Sequence, residues 1–310
     1  MRDVRQTDEQ RKVGVNMAEE IINDSLESGR ANLSPIQEKT NFHKAPFTLI
    51  SNLKKNRYLL QNIVKRNLNQ KYGKAKLGYI WTVLEPALLA AVYYVLFIII
   101  ADHAEKNYPL WVILGVIGWG LFAKIINQTV NSLTTNSGMI NQTNFPLEIY
   151  SFSQSITQLI ITFLSLLVII PFIFYLGLSP IKTIWILPLA IFSLFLAAWG
   201  IGLLFASLNV IFPDISHVFR FITRAGFFVS PVMWTYEMVI DRVGINSIYF
   251  EIIMLNPVVV PITLMRHSIE GTLPDFATYH LVYALIFPFI CYIIGSIVFL
   301  KMSRGVVTRL

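Results

Sequence analysis

Few side chains in the apolar part of this sequence could take part in chemistry. Glu85 is the single acid inside the five apolar segments that are the strongest candidates for membrane spans. A carrier driven by protons or sodium normally needs several ionisable groups near the middle of the membrane. The histidines lack the spacing of metal ligands; they are His43, His103, His217, His267 and His280. These residue types therefore predict neither an ion-coupled carrier nor a metal centre.

Sequence motifs for nucleotide binding and hydrolysis are absent. Gly73-Lys74 is the only Gly-Lys pair, but Ala75 follows it and no glycine lies five residues earlier, so no G-x-x-x-x-G-K-[ST] loop is present. H-E-x-x-H and G-x-S-x-G are also missing. The single cysteine, Cys291, excludes an intrachain disulfide and a cysteine-rich metal site. We therefore expect no cofactor on this chain and an energy source elsewhere.

The composition places these residues in a membrane protein. The chain has 310 residues, of which 55% are hydrophobic and 14% charged, and its mean hydropathy is +0.58. A soluble domain carries about 25% charged residues. The charged residues are too few to cover a water-exposed surface of this size, which argues against a soluble globular enzyme. The composition predicts an all-α integral membrane protein.

Positive charge is concentrated before the first apolar segment. Residues 39–76 contain ten basic residues and no acid, which is typical of a juxtamembrane segment rather than of a nucleic-acid site. Residues 1–45 are predicted to be a polar cytoplasmic tail and residues 46–76 an amphipathic interface helix. Its apolar residues recur at helical spacing; they are Leu49, Leu53, Leu60, Ile63, Val64 and Leu68.

We expect the apolar stripe of this helix to lie in lipid and its cations to meet headgroup phosphates. These cations are Lys54, Lys55, Arg57, Lys65 and Arg66. The alternative is an ordinary surface helix packed against a protein core.

Residues 77–310 are predicted to form a six-span domain, because about 20 apolar residues cross the hydrocarbon core. The six segments are Tyr79–Ala101, Leu110–Val130, Ile149–Leu178, Ile184–Phe212, Val218–Ile240 and His280–Leu300. The fifth segment is the weakest, because Arg220 and Arg224 lie near its start. These two cations either extend to the headgroups or hold a lipid phosphate. The distribution of lysine and arginine predicts that both termini are cytoplasmic.

The connection before the last span is too apolar for a solvated loop. Residues 244–271 are split by Asn256-Pro257 into two short apolar pieces. Such a break is typical of re-entrant half-helices, which the topology places on the outer side. An amphipathic hairpin on the outer leaflet is the alternative.

From about residue 50 onward, the order of short motifs resembles the permease subunits of ABC transporters that export bacterial polysaccharides. The first motif contains Tyr72, Leu77, Gly78, Trp81, Glu85 and Pro86. The second is Phe-Pro-x-Glu, at Phe145, Pro146 and Glu148. The third combines Phe212–Asp214 with Ser230–Trp234, and the fourth is Leu255–Pro257 followed by Arg266. The family often has arginine where this chain has Pro213.

The resemblance implies a permease for O-antigen, capsular polysaccharide or teichoic acid in a bacterial cytoplasmic (inner) membrane. It implies a homodimer of this chain, bound to two copies of a separate ATP-binding-cassette ATPase that carries the ATP and Mg. The substrate would be a lipid-linked polysaccharide. Exporters of drugs or lipids are an alternative, against which the motifs Leu77-Gly78 and Leu255-Asn256-Pro257 count. A membrane-embedded glycosyl- or acyltransferase is another, although no catalytic His or Asp constellation is visible.

Four sets of site residues follow from the resemblance and the residue types. Aromatic rings can stack on sugars and line a channel between protomers, although membrane aromatics often face lipid instead; the candidates are Tyr93, Tyr94, Phe97, Phe227, Phe228 and Trp234. Cations that could contact a lipid pyrophosphate are Lys74, Lys76, Arg220 and Arg224. Cytoplasmic residues that could couple to the ATPase are Ser137, Met139, Ile140, Phe145, Pro146, Pro213 and Asp214. The outer gate is expected at Asn256 and Pro257.

Overall fold

The computed structural model describes residues 44–101, 106–142 and 145–306, and every regular element in these ranges is helical. The α-helices are α1 (Ala45–Lys55), α2 (Arg57–Tyr72), α3 (Trp81–Ala101), α4 (Tyr108–Val130), α5 (Ser132–Thr135), α6 (Ser137–Ile140), α7 (Glu148–Ser165), α8 (Ile169–Leu176), α9 (Ile186–Ile211), α10 (Asp214–Val229), α11 (Tyr236–Val243), α12 (Ile248–Met254), α13 (Val259–Glu270) and α14 (Thr278–Val306). The predicted tail, residues 1–45, lies outside the described residues except for its last two positions.

Four described segments are long and apolar enough to cross a membrane. They are α4, the segment Glu148–Leu176 formed by α7 and α8, α9, and residues Thr278–Met302 of α14. A fifth is added if α12 and α13, which meet at an angle of 82°, together make one broken span. The first predicted span forms α3, which follows a short 3₁₀ turn at Gly78–Ile80. The apolar helical segment runs from this turn into α3, over Gly78–Tyr93, and is shorter than the four spans above. The described residues therefore contain four or five candidate spans, whereas the sequence predicts six.

Helix α9 packs along α14 and also against α4 and α13. Glycine permits the closest approach, because a Cβ atom at Gly200 would lie 2.5 Å from the backbone of Cys291 and Tyr292. Gly295 of α14 faces Gly200 across the same contact. Small residues allow membrane helices to pack backbone against backbone, where dispersion contacts replace the hydrophobic effect as the driving force.

The predicted interface helix is two helices, α1 and α2, which meet at Asn56. Its apolar residues Leu49, Leu53, Ile63 and Val64 are buried, with α1 packed against α14 and both helices against α7. The expectation that this stripe lies in lipid is therefore wrong for these residues. The membrane-spanning helices themselves form the core against which these apolar residues pack.

The fifth predicted span, Val218–Ile240, is not one helix. Helix α10 ends at Val229, and the chain then runs without helical structure through Ser230–Thr235 before α11 begins. Pro231 explains the break, because proline has no N–H for a helical hydrogen bond and pushes the preceding residue toward extended backbone. Ser230 indeed has φ −93° and ψ 157°.

The bundle has two ends, which we name after the limits of α4. The Val130 end carries α1, α2, α5, α6 and the starts of α7 and α10. The Tyr108 end carries α11, α12, the end of α13 and the start of α14. Glu270 at the end of α13 accepts hydrogen bonds from Asn107 and Trp111 at the start of α4, which fixes this assignment.

Candidate functional site

At the Tyr108 end, the side chains of Arg266 and Tyr108 hold the break between α10 and α11. Arg266 is only 2% exposed. Its guanidinium donates to the carbonyl oxygens of Pro231 (2.6 Å), Val232 (3.1 Å), Trp234 (2.9 Å) and Trp111 (3.1 Å). The Tyr108 hydroxyl donates to the carbonyl of Met233 at 3.0 Å. Non-helical backbone in a membrane protein must find such partners within the protein, so Arg266 makes this break possible.

The second break, between α12 and α13, is joined to the first. Asn256 Nδ2 donates to Ser230 Oγ at 3.1 Å, and Asn256 Oδ1 accepts from the Val258 backbone N–H at 3.2 Å. Asn256 and Pro257, the predicted gate residues, therefore lie beside Ser230 at the bend of 82°. The third and fourth sequence motifs meet here. Sequence analysis identified Arg266 as a motif residue but gave it no role.

The aromatic channel candidates do not form one group. Tyr93 of α3 lies beside Phe227 of α10, with ring centroids 5.4 Å apart, and Phe228 is 5.4 Å from Phe227. Phe228 is 69% exposed. Trp234 lies apart, where it packs against the cluster of α11, α12 and α13 at the Tyr108 end. Tyr94 and Phe97 belong to α3, but their side chains lie outside the described residues.

A pocket of about 210 Å³ opens between α3, α4 and α7, with Phe227 of α10 at its edge. Glu85 and Lys124 form an ion pair of 3.4 Å in its wall. Glu85 was identified from the sequence as a charged residue within a span, whereas its partner Lys124 was not. The signal was available, since Glu85 lies near the start of the first predicted span and Lys124 near the end of the second, which puts them at the same depth in antiparallel helices.

Lys71, at the end of α2, lies close to this pocket. Its Nζ is 3.5 Å from Oε1 of Gln158, which lines the pocket. Partial burial and, to a smaller extent, the positive charge of Lys124 lower the pKa of the Lys71 ammonium to about 8, with Glu85 opposing both effects. The pocket wall thus contains one lysine, one carboxylate and one amide, with the second lysine, Lys71, beside it. Among the described residues, no three His, Cys, Asp or Glu side chains are placed to hold a metal ion.

The four cations predicted to contact a lipid pyrophosphate are all exposed: Lys74, Lys76, Arg220 and Arg224. The first two follow α2. Arg220 and Arg224 lie one turn apart on the outward face of α10, and Arg220 Nη2 is 2.9 Å from His217 Nδ1. The opposite face of α10 is buried at Ser216, Phe219 and Thr223. The structure therefore leaves these cations open to a ligand, as the prediction requires.

At the Val130 end, the predicted coupling segment consists of the short helices α5 and α6. Arg66 of α2 reaches this segment and donates from Nη2 to Asn136 Oδ1 at 2.9 Å, while its Nη1 contacts the sulfur of Met139. Arg66 was expected to meet lipid phosphate; here it meets protein. Ser137 is half-buried, whereas Ile140 is only 5% exposed and belongs to the core. Ile140 is thus a packing residue, and it cannot offer its side chain to a partner.

Asn209 is buried at the end of α9 and connects the end of α4 to the start of α10. The first predicted coupling segment follows α4, and the second contains Pro213 and Asp214. Its Nδ2 donates to the carbonyl of Val130 at 3.2 Å, and its Oδ1 accepts from the Ser216 backbone N–H at 3.0 Å. Pro213 and Asp214 are exposed beside it at the start of α10. Asn209 was not predicted as a functional residue, because a single asparagine in an apolar segment does not show which groups it will contact.

The Phe-Pro-x-Glu motif anchors α1 to the bundle. Phe145 is exposed and Pro146 half-buried, whereas Glu148 is fully buried. Asn52 Nδ2 of α1 donates to Glu148 Oε1 at 2.6 Å. Within the described residues, Glu148 Oε2 has no hydrogen-bond partner. The Tyr292 hydroxyl adds a second attachment by donating to the carbonyl of Pro46 at 2.8 Å.

These features define a multi-pass helical membrane protein with broken helices at one end and a hydrogen-bonded loop assembly at the other. A model of the ABC-2 type transporter family matches residues 58–269. The chain belongs to this family, whose members are transport subunits. The matched range begins in α2 and ends in α13, so it includes both breaks and the elements of the Val130 end other than α1.

Several curated proteins are similar to the chain over most of their length. An O-antigen export system permease protein, RfbA, of Klebsiella pneumoniae is 25% identical over 246 residues, which is 79% of this chain and 92% of that protein. RfbA of Myxococcus xanthus is 25% identical over 73% of this chain and 86% of that protein. A polysialic acid transport protein, KpsM, of Escherichia coli is 22% identical over 66% and 78%.

Proposed function

We propose that this chain is the permease of an ATP-driven exporter that moves lipid-linked polysaccharide across the bacterial inner membrane. The observation that carries the proposal is the combination of the family match with the relatives. Two groups of proteins with different names, one for O-antigen export and one for polysialic acid transport, are similar to this chain over 66–79% of its length. Both named cargoes are polysaccharides.

The proposed channel lies between two copies of this chain. Helices α9 and α14 pack backbone against backbone at Gly200, which leaves no space for a polymer between them. Helix α10, in contrast, exposes Arg220, Arg224 and Phe228 on one face. In the proposed homodimer this face lines the channel together with Tyr93 of α3. Aromatic rings there would stack weakly on successive sugars, which suits a polymer that slides.

The proposed entry site for the lipid head is on the cytoplasmic side of the same face. A pyrophosphate needs positive charge at headgroup depth. Lys74, Lys76, Arg220 and Arg224 supply it, and their exposure supports this role. The pocket that contains Glu85 and Lys124 adjoins Phe227, so charged and aromatic groups follow one another along the proposed path.

The Val130 end is proposed to face the cytoplasm, with both termini on that side, and to receive two copies of an ATP-binding-cassette ATPase that binds ATP and Mg. Support comes from the hydrogen bonds that join its loops. A push on α6 reaches α2 through Arg66, and a push on the start of α10 reaches α4 through Asn209. Ser137, Met139, Phe145, Pro146, Pro213 and Asp214 are the proposed contact residues.

The Tyr108 end is proposed to face outward and to close the resting channel. Helices α12 and α13 are rigid pieces joined at Asn256-Pro257, and hydrophobic constrictions of this kind exclude water and ions from channels. An outer position for these half-helices agrees with the topology that the basic residues predict.

Deletion of the gene in its native strain tests the proposal. We expect surface polysaccharide to disappear and lipid-linked polymer to accumulate inside the inner membrane, with recovery when the gene is restored. The tagged chain should also copurify with a chain that hydrolyses ATP. Unchanged surface polysaccharide in the deletion strain contradicts the cargo, and accumulation of a small lipid or drug instead selects the alternative exporter.

A further inference from the structure

A second pocket at the Tyr108 end, of about 370 Å³, lies between α11, α12 and the start of α14, apart from the proposed channel face. Its volume falls within the range of small-ligand sites, about 300–1,000 Å³. The side chains that matter for its chemistry are those of Asn246, Phe250, Glu251, Tyr279 and His280. Neither the family match nor the names of the relatives assigns this pocket a role.

The carboxylate of Glu251 is held in one orientation. Its Oε1 accepts from the Tyr279 hydroxyl at 2.5 Å, and its Oε2 lies 3.2 Å from His280 Nε2. A histidine that donates from Nε2 to a carboxylate presents an acceptor at Nδ1 when it is neutral. His280 is only 4% exposed, and its Nδ1 has no hydrogen-bond partner among the described residues. The Glu251 side chain is 45% exposed and that of His280 only 5%, so the carboxylate is the member of this pair that a ligand can reach.

The aromatic rings distinguish between two ligand chemistries. A cage for an ammonium ion needs several ring faces around one point and a carboxylate free to approach. Here Tyr236 and Phe250 are buried and pack against each other with ring centroids 5.7 Å apart. Tyr279 is the exposed ring, at 57%, so one ring rather than a cage of rings is accessible to a ligand. The pocket thus offers a single ring surface together with several hydrogen-bonding groups.

We propose that this pocket binds one saccharide ring. A sugar presents a flat C–H face for the Tyr279 ring and hydroxyl groups that can both donate and accept. The half-exposed Glu251 carboxylate provides acceptors, since each of its oxygens has a second lone pair, and the Asn246 side-chain amide provides both a donor and an acceptor. The pocket accommodates a ring rather than a chain. The inference stands on this geometry and goes beyond the transport role proposed above.

The test is saturation-transfer NMR on the full chain in lipid nanodiscs prepared without any sugar-based detergent. The probes are methyl α-D-glucopyranoside and methyl α-D-mannopyranoside, with choline as the ammonium probe. We expect transfer to at least one glycoside. Glu251→Gln and Asn246→Ala should each weaken it about fivefold or more, as expected when one hydrogen bond worth roughly 1 kcal/mol is lost.

Glu237→Gln is the matched control, because Glu237 pairs with His267 at 3.0 Å on neighbouring helices but does not line this pocket. It should bind the glycosides as the unaltered chain does. Asn246 is exposed, so Asn246→Ala keeps the test valid if Glu251→Gln fails to fold. Absence of glycoside binding to the unaltered chain, equal binding by Asn246→Ala, or stronger binding of choline than of either glycoside would overturn the proposal.

Discussion

Arg66 Nη2 donates to Asn136 Oδ1 across 2.9 Å, and this hydrogen bond joins α2 to the short helices at the Val130 end. The same guanidinium contacts Met139 and Asn67. A residue that looks like one more cation of a lipid-facing helix thus connects the helix before the first span to the loop proposed to meet the ATPase. A basic side chain whose planar group serves several partners is not replaced by lysine.

Arg66→Ala should therefore reduce polysaccharide export clearly while lowering the stability of the fold only slightly. Loss of the hydrogen bond to Asn136 is expected to cost about 1 kcal/mol of stability, which a thermal melt of the purified chain would detect. Polysaccharide export per ATP hydrolysed should fall, and Arg66→Lys should restore it only in part. Lys65→Ala, at the exposed neighbouring position, is the control and should behave as the unaltered chain. Equal effects of the two alanine variants would contradict the assignment.

A charge on the surface of α6 should uncouple ATP hydrolysis from export without unfolding the chain. Gly138 is the best position, because it is exposed and a Cβ atom there would meet nothing within 4 Å. Gly138→Glu is expected to retain ATPase activity in the complex and lose export, and Met139→Glu should do the same, with its charge directed at Arg66. Gly138→Ala is the matched control. Ile140→Glu should instead abolish folding, since Ile140 is in the core. Normal export by Gly138→Glu would remove α6 from the coupling path.

The ion pair between Glu85 and Lys124 should matter for transport more than for stability. Both side chains are substantially exposed, and such a pair contributes about 0–1 kcal/mol. Glu85→Lys and Lys124→Glu should each reduce export, because each leaves two like charges in the pocket wall. The double variant restores opposite charges and should recover export, with all three melting temperatures close to that of the unaltered chain. A double variant as inactive as the worse single one would show that the individual charges, and not their pairing, are required.

Arg266 should be one of the residues on which the fold depends most. Arg266→Met fills similar space but removes the side-chain donor from the carbonyls of Pro231, Val232 and Trp234 in the non-helical break. The expected loss of stability is roughly 3 kcal/mol or more. Thermal unfolding and the yield of folded protein in detergent measure it. Arg242→Met, at an exposed position in α11, is the control and should melt with the unaltered chain. A melting temperature unchanged by Arg266→Met would mean that other groups satisfy the break.

The sequence predicted the helical membrane class and the break at Asn256-Pro257 because both depend on local properties. Apolar length sets the spans, and proline disfavours helical backbone at the residue before it. Pro86 and Pro288 nevertheless lie inside α3 and α14, so a proline marks a break only where a short element ends beside it. The break at Ser230–Thr235 carries the same signal in Pro231, yet the apolar residues on both sides made it resemble one span. What the pattern could not show is that Arg266, distant in sequence, supplies the hydrogen bonds that such a break needs.

The predicted sites differ in how far residue type alone could locate them. That Arg220 and Arg224 lie on one helix face could be predicted from their spacing, whereas their contact with a lipid phosphate stays a prediction. The stripe of Leu49 and Ile63 could not be assigned to lipid or protein, because an apolar face is equally suited to either. The role of Asn209 depends on tertiary contacts alone, because it becomes apparent only when the ends of α4 and α9 are seen to meet.

Asn256 and Ser230 should act as one unit in closing the Tyr108 end. Their hydrogen bond of 3.1 Å joins the bend between α12 and α13 to the end of α10. Together with the Arg266 contacts to the first break, it holds the two breaks against each other. Asn256→Ala and Ser230→Ala should each make liposomes that contain the chain leak small anions. Because both variants remove the same link, the double variant should leak no more than Asn256→Ala alone. Ser247→Ala, which removes a capping hydroxyl at the start of α12, is the control and should stay tight, because it leaves the link intact. Additive leakage in the double variant would show that the two residues act separately, and tight liposomes with Asn256→Ala would remove this bend from the barrier.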